Sequence, residues 1–140
     1  MERNMSQEVN KGYLRDLSEQ ECWVLLGETG IARIAVCTAS EPMIVPVNYL
    51  VDAGTLVVRT APYTQLAAHV GETVALEVDD FDPDMRRGWS VLMVGPVAAV
   101  DDPDELTAMR SQQRLQTWAP GSRNLFIRLT SVRVSGRDLR

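Results

Sequence analysis

The sequence contains few of the side chains on which hydrolases and metalloproteins depend. Its 140 residues include one histidine and two cysteines. A zinc site takes four Cys, His or carboxylate ligands at close spacing, and no such set occurs in this sequence. A catalytic triad would have to use His69, yet no serine stands in a G-x-S-x-G motif, so we interpret His69 as a solvated helix residue. Walker and G-x-G-x-x-G motifs are absent as well.

One acidic segment matches a calcium-binding loop in its first half only. Asp80, Asp82 and Asp84 alternate as the first ligands of such a loop do. However, Met85 stands where the loop needs glycine, and Val91 stands where it needs a bidentate glutamate. We therefore predict an acidic surface turn and no metal site.

Long apolar runs and clusters of positive charge are also missing. No window approaches 18 consecutive apolar residues, which predicts that no helix spans a membrane. Residues 1–11 are polar and lack the apolar core of a signal peptide. The net charge of −5 and the pI of about 4.8 argue against a nucleic-acid-binding surface. We interpret Cys22 and Cys37 as small buried hydrophobic residues, and the sequence therefore predicts a soluble protein in the reducing cytoplasm.

The remaining composition is that of an ordinary globular protein, with 45% hydrophobic and 24% charged residues. This length predicts one domain with a real core, residues 13–140, after a flexible tail of residues 1–12. Strand patterns follow one another with only turns or short helices between them, which favours an antiparallel barrel over a parallel sheet. We therefore predict a mainly β (α+β) fold, with about six strands and three short peripheral helices.

Local patterns place these elements along the chain. Ser18 begins a capping box, and the helix that follows should stop at residues 27–30. Asp102 before Pro103 predicts another helix, which should run to about Gln116. A short helix is expected near residues 65–70. The strands are expected at residues 31–38, 43–50, 56–60, 74–78, 89–100 and 125–134.

The central hairpin carries the candidate site. Its second strand ends on Arg59 and Thr60, and a helix should start near Thr64. A guanidinium, a hydroxyl and a helix N-terminus close together are typical of a phosphate-binding site. The alternative is that Arg59 is a solvated surface arginine and Thr60 a turn residue. Since the sequence offers no acid/base pair, nucleophile or metal site, it favours a phosphate-bearing cofactor that performs the reaction.

Five segments occur along the chain in a characteristic order: Ile31–Val36, Pro46–Tyr49, Val58–Thr60, Glu77–Asp79 with Gly88–Leu92, and Ser135–Arg137. In this order they resemble the pyridoxamine 5′-phosphate oxidase-like, flavin-binding split-barrel family. The resemblance extends over residues 14–137. It implies a six-stranded antiparallel Greek-key split β-barrel that forms a homodimer, with FMN in the groove between the two subunits.

The resemblance also implies which residues contact the cofactor. Those that would run along the isoalloxazine ring and offer it backbone groups are Pro46, Val47, Asn48 and Tyr49. Those that would meet the ribityl phosphate are Val58, Arg59, Thr60, Gln65 and Leu66. Those that would flank the flavin are Trp89 and Ser90, and those that would reach the flavin of the partner subunit are Trp118 and Arg123.

Some of these residues have a structural alternative. Trp89 could be barrel core, and Asn48 and Tyr49 could merely close a strand end. Val58 is a core residue in either case. Gln65 also stands where the family usually has a lysine, so Arg59 is the obvious cation near the phosphate.

The C-terminal sequence gives information about the substrate. The substrate-binding Arg and His residues of pyridoxamine phosphate oxidases have no clear match in residues 136–140. The resemblance therefore implies a flavin-dependent oxidoreductase that passes a hydride or electrons to an unknown small molecule. A deazaflavin-dependent reductase on the same fold and a non-catalytic flavin-binding or scaffold dimer are the alternatives.

Overall fold

Eight strands dominate the part of the chain that the computed structural model describes, which is residues 13–62, 64–116 and 124–140. The strands, β1 to β8 in chain order, are Leu14–Leu17, Ile31–Cys37, Pro42–Asp52, Thr55–Thr60, Thr73–Asp82, Arg87–Ala99, Leu125–Leu129 and Arg133–Leu139. The helices, α1 to α3, are Glu19–Leu26, Gln65–Ala68 and Pro103–Arg110, and a 3₁₀ turn follows at Gln113–Leu115. None of these helices is long and apolar enough to cross a bilayer.

Six of the strands close an antiparallel barrel, which confirms the predicted fold. The order around the barrel is β6-β5-β2-β3-β4-β7, and β7 pairs again with β6. β5 lies beside β2 rather than beside β4, which is the strand order of a Greek key. The first part of β6 pairs with β8, and its last part, from Val97, pairs with β7. β8 and β1 extend the sheet beyond the barrel.

The change of partner along β6 depends on Gly95. A Cβ atom at this position would clash with the carbonyl group of Thr130, in the connection between β7 and β8. Only glycine therefore lets that connection cross β6 so closely. The next residue, Pro96, is exposed, and its carbonyl accepts a hydrogen bond from the Thr130 N–H at 3.2 Å.

Two apolar clusters hold these elements together. Alternate side chains of the strands fill the barrel interior, and the large, fully buried ones include Ile34, Tyr49, Leu56, Leu76, Met93 and Ile127. A second cluster lies outside the barrel and joins α3 and the 3₁₀ turn to β4 and β7. Its buried members are Val57, Val100, Met109, Leu115 and Phe126.

The start of α1 and the central hairpin agree with the predictions. The Ser18 hydroxyl accepts from the Glu21 N–H at 3.1 Å, and the Glu21 carboxylate accepts from the Ser18 N–H at 3.0 Å. Between β3 and β4, Ala53 and Gly54 have φ angles of 50° and 73°, as in a tight type I′ turn. The turn sets the register that pairs Asn48 with Arg59.

Several element bounds differ from the predictions. β1 was not expected, because its four residues depend on pairing with β8 at the far end of the sequence. The predicted acidic turn belongs largely to β5, which stays in register with β6 as far as Asp82. α3 ends at Arg110 rather than near Gln116. The expected last strand is two strands, β7 and β8, separated at residues 130–132.

The two cysteines differ in exposure. Both are free, and Cys22 is buried as expected. The expectation that Cys37 is buried is wrong, because alternation along β2 turns this last residue of the strand outward.

Candidate functional site

The candidate site begins where β3 loses one of its two neighbours. β3 pairs with β2 from Pro42 to Asn48, but with β4 only from Asn48 to Asp52. The side of residues 42–47 that faces away from β2 therefore has no strand partner within the described ranges. We call it the open edge of β3. Pro46 suits such an edge, since proline has no N–H to donate to a ladder.

Asn48 and Arg59 lie side by side at the end of the open edge. They are directly opposite in the β3–β4 ladder, and Arg59 is also opposite Phe126 of β7. The guanidinium carbon of Arg59 lies 5.1 Å from the centre of the Phe126 ring, and Nη1 donates to the Leu115 carbonyl at 3.5 Å. Both side chains are partly exposed on the outside of the barrel. A cation and an amide thus stand together where the two strands separate.

A groove of ≈ 510 Å³ lies beside Asn48, and we call it the β3 groove. Its volume is that of an ordinary small-molecule site. Arg114 belongs to its wall, where Nη1 donates to the carbonyl oxygens of Gly27 at 2.6 Å and Thr29 at 3.2 Å. The described lining residues are Glu28, Thr29, Gly30, Ile31, Asn48, Gln113, Arg114 and Gln116.

Tyr49 connects the β3 groove to the barrel core. Its hydroxyl donates to the Leu26 carbonyl at 2.6 Å and accepts from the Thr29 hydroxyl, also at 2.6 Å. Burial raises the pKa of the Tyr49 phenol, and the Thr29 hydrogen bond and the charge of Arg114 oppose this shift. The neutral side chain is fully buried and holds the end of α1 in place. The side chains of Val47 and Val58 are also core, so these three residues can offer a ligand only their backbone.

The residues predicted to complete a phosphate site form the start of α2. The buried Thr60 hydroxyl donates to the Thr64 hydroxyl at 3.0 Å, and Thr64 donates in turn to the Ala61 carbonyl at 2.9 Å. Leu66 is buried in the core, and Gln65 is exposed. The hydroxyl of Thr60 is therefore engaged by Thr64, the N-cap of α2, and Gln65 is the polar side chain of this group that faces solvent.

Trp89 and Ser90 are adjacent in β6 and point to opposite sides of the sheet. Trp89 is nearly buried and lines a cavity of ≈ 530 Å³ under α1, together with Arg15 and Asp138. Ser90 lines a separate groove of ≈ 520 Å³ that includes Arg137. Within one chain, the structure thus brings neither residue into the β3 groove.

A charged cluster lies on the outside of β2 and β5, and its lining residues differ from those of the β3 groove. Nη1 of Arg33 lies 3.0 Å from the Glu77 carboxylate and 3.2 Å from that of Asp79. Burial and the neighbouring Asp79 carboxylate raise the pKa of Glu77 to about 7, although Arg33 opposes the shift. Ile44 and Leu92 line the same surface and are 69% and 40% exposed. We call this the outer sheet surface, and its apolar content is typical of an interaction surface.

Two expectations from the sequence concern other parts of the site. In the described ranges, no group of three or more His, Cys, Asp or Glu side chains is arranged to hold a metal ion. Trp118 and Arg123, which the resemblance places near the flavin of the partner subunit, lie outside the described residues.

Sequence comparison decides the family. The model of the family described as pyridoxamine 5′-phosphate oxidase matches residues 18–138, which is most of the chain. The chain belongs to the pyridoxamine 5′-phosphate oxidase family. An uncharacterized protein of Mycobacterium tuberculosis is 32% identical to it over 127 residues, which cover 86% of this chain and 82% of the relative.

Solved structures with the same barrel agree with membership of the pyridoxamine 5′-phosphate oxidase family. An FAD-binding protein from Mycobacterium smegmatis is 27% identical, with a TM-score of 0.72 over 91% of this chain and 100% of that chain. A candidate pyridoxamine 5′-phosphate oxidase from Corynebacterium glutamicum is also 27% identical, with a TM-score of 0.75 over 89% of this chain and 92% of that chain.

Of the described lining of the β3 groove, the sequence analysis predicted only Asn48, and Arg114 is the cation that it missed. It stands in a polar stretch without a motif, just after α3. Its contacts with Gly27 and Thr29 join positions 87 and 85 residues apart in the sequence. The sequence signal was a lone cation among glutamines, which does not distinguish a groove residue from a solvated one.

Proposed function

We propose that this member of the pyridoxamine 5′-phosphate oxidase family binds the flavin nucleotide FMN along the open edge of β3 and acts as an oxidoreductase. The open edge itself, with Asn48 and Arg59 at its end, is the observation that carries the proposal. Backbone groups without a ladder partner can meet the polar rim of a flat ring, and a guanidinium can pair with a phosphate. The FAD-binding relative from Mycobacterium smegmatis supports a flavin as the ligand.

The residues at the open edge fit such a cofactor. A bound flavin supplies the electron chemistry, and the chain supplies binding and orientation. Arg59 is held against Phe126 and the Leu115 carbonyl, so its guanidinium is already ordered before a phosphate arrives. The backbone of Pro46 and Val47 would fix the position of the ring edge. The amide of Asn48 can donate to or accept from polar groups of the ligand.

The described lining of the β3 groove offers little proton chemistry of its own. Its ionisable side chains are Glu28 and Arg114, and the Tyr49 hydroxyl behind it is buried and hydrogen-bonded. We therefore propose a reaction in which the cofactor exchanges a hydride or electrons with a small molecule, and any proton comes from solvent.

We also propose that the protein is a homodimer with the cofactor at the subunit interface. The outer sheet surface exposes Ile44 and Leu92 beside the small residues Ala35 and Ala75, and a second copy would cover them. We expect a total interface above about 2,000 Å², the size of an obligate dimer. Sedimentation equilibrium at micromolar concentration measures this, and a stable monomer would contradict the proposal.

The visible absorption spectrum of the purified protein tests the cofactor. We expect the absorption band of an oxidised flavin, and mass spectrometry of the released compound should identify FMN. Release of FAD or of a deazaflavin would support the proposed binding site and show that the cofactor is not FMN. A colourless protein that also takes up none of these compounds when they are added would overturn the proposal and favour a scaffold dimer.

A further inference from the structure

Arg114 has an unusual set of partners for a surface arginine. Its Nη1 donates to two backbone carbonyls, at Gly27 and Thr29. No carboxylate of the described residues forms an ion pair with it, although Glu28 lines the same groove. Carbonyl groups orient a guanidinium but do not neutralise it. The groove wall therefore carries a fixed positive charge in a protein whose net charge is −5.

The second guanidinium of this region, that of Arg59, contacts the residue next to Arg114. Arg59 Nη1 donates to the carbonyl of Leu115, the residue directly after Arg114. Arg59 also stands opposite Asn48, which lines the groove together with Arg114. The 3₁₀ turn thus brings a cation from the C-terminal half of the chain to the site that the β3–β4 hairpin begins.

We propose that Arg114 is a second phosphate-binding residue of the flavin site, acting from the wall of the β3 groove together with Arg59. This inference rests on the proposed flavin function. A guanidinium has five N–H donors in a rigid fork, and the two carbonyl contacts of Arg114 both use Nη1. Nη2 and Nε form no hydrogen bond with the described residues, so they can donate to oxygen atoms of a phosphate.

The physical advantage of this arrangement is preorganisation. A flexible exposed arginine loses side-chain entropy when it binds an anion, whereas Arg114 is already held at two points. It also supplies positive charge that the exposed Gln65 at the start of α2 does not. The shared ligand chemistry is an organic phosphate, either the monoester of FMN or the diphosphate of FAD.

The competing explanation is that Arg114 only fastens the loop between α1 and β2. Comparison of three flavins separates the two roles, because riboflavin has the ring but no phosphate. If Arg114 only fastens the loop, its replacement would weaken the binding of riboflavin and FMN equally. If Arg114 binds a phosphate, its replacement would weaken the binding of FMN, FAD or both and leave riboflavin binding unchanged.

The experiment is a fluorescence titration of wild type, Arg114→Met and Arg114→Lys with riboflavin, FMN and FAD. We expect Arg114→Met to lose at least about tenfold in affinity for FMN, FAD or both, with riboflavin unchanged. Lysine keeps the positive charge but lacks the planar guanidinium, so Arg114→Lys should recover part of the lost nucleotide affinity. Arg110→Met, which removes an exposed cation from the last turn of α3, is the matched control and should change nothing.

Each outcome has a definite meaning. Loss for FMN assigns Arg114 to the monoester, and loss for FAD alone assigns it to a diphosphate. Equal losses for riboflavin and the nucleotides, or no loss in Arg114→Met, would overturn the assignment while leaving the proposed function intact. A wild-type protein that binds none of the three flavins would overturn the proposed function, and the assignment with it.

Discussion

Arginines in two regions of this protein are held by different kinds of partner. On the outer sheet surface, Arg33 contacts the carboxylates of Glu77 and Asp79. In the β3 groove, the described partners of Arg114 are backbone carbonyls. Arg59 has a carbonyl and an aromatic ring among its partners. Carboxylates cancel the charge of a guanidinium, whereas carbonyls and rings orient it, so an arginine's partners decide whether it can receive an anionic ligand.

Replacement of Arg59 should cause the largest change in FMN affinity. Arg59→Ala should weaken FMN binding by about 2 kcal/mol or more, a factor of about thirty in dissociation constant. The loss should shrink as salt rises, because ions screen the pair that the substitution removes. Fluorescence titration at two salt concentrations measures both effects. The lost contact with Phe126 should cost stability of about 0.5–1 kcal/mol, which a melting curve would show separately.

A lysine at position 65 should have the next largest effect. Gln65 is exposed at the first position of α2, a few residues beyond Arg59. Gln65→Lys should tighten FMN binding by about 1.5 kcal/mol, the lower end for a charge-assisted contact, because the site is open to water. The affinity for riboflavin should stay the same. Unchanged FMN affinity would mean that the start of α2 does not face the phosphate.

Removal of Arg33 should have little effect on the cofactor. Its guanidinium is engaged by two carboxylates in the outer sheet surface. Arg33→Met should therefore change FMN affinity by no more than about 0.5 kcal/mol at protein concentrations where the variant remains dimeric. The same titration used for Arg59 provides the measurement. A loss as large as that of Arg59→Ala would remove the distinction between the two groups of arginines.

Glu77 should give a small pH dependence of stability. Its pKa in the folded protein, about 7, exceeds its ordinary value of 4.5. The folded state therefore holds the proton more tightly than the unfolded state does. The stability that this provides is complete below pH 4.5 and is lost as the pH rises through 7. The Glu77 side chain is 37% exposed, so we expect less than about 1 kcal/mol.

Thermal melts between pH 5 and 8 check this effect. Glu77→Gln should melt above wild type at the alkaline end, and the difference should disappear at the acid end. Glu41→Gln, at an exposed carboxylate before β3, is the matched control. A Glu77→Gln variant with the same pH profile as wild type would show that this carboxylate has an ordinary pKa.

Much of the fold could be predicted because local patterns agree with the final packing. Alternation along β2 and β3 and the capping box of α1 are visible in short windows of sequence. β1 could not be predicted, since it exists through pairing with β8. The end of β5 was misassigned because aspartates favour turns, yet its register with β6 outweighs that propensity.

The part of the candidate site on the β3–β4 hairpin could be predicted, but the part that comes from the segment after α3 could not. Arg59 follows from the hairpin that contains it, because a strand end and its neighbours are local in sequence. Arg114 reaches the groove because the segment after α3 folds back onto the loop that follows α1, more than eighty residues earlier. Trp89 and Ser90 were expected to flank one flavin, and within one chain they lie on opposite faces of β6.

A crystal structure of the protein with FMN tests the central claim most directly. Three pockets of similar volume lie among the described residues: the β3 groove, the cavity under α1 that Trp89 lines, and the groove that Ser90 lines. We predict the ring along the open edge of β3 at Pro46 and Val47, and the phosphate within hydrogen-bonding distance of the Arg59 guanidinium. FMN in the cavity under α1, with no contact to Arg59, would contradict the account.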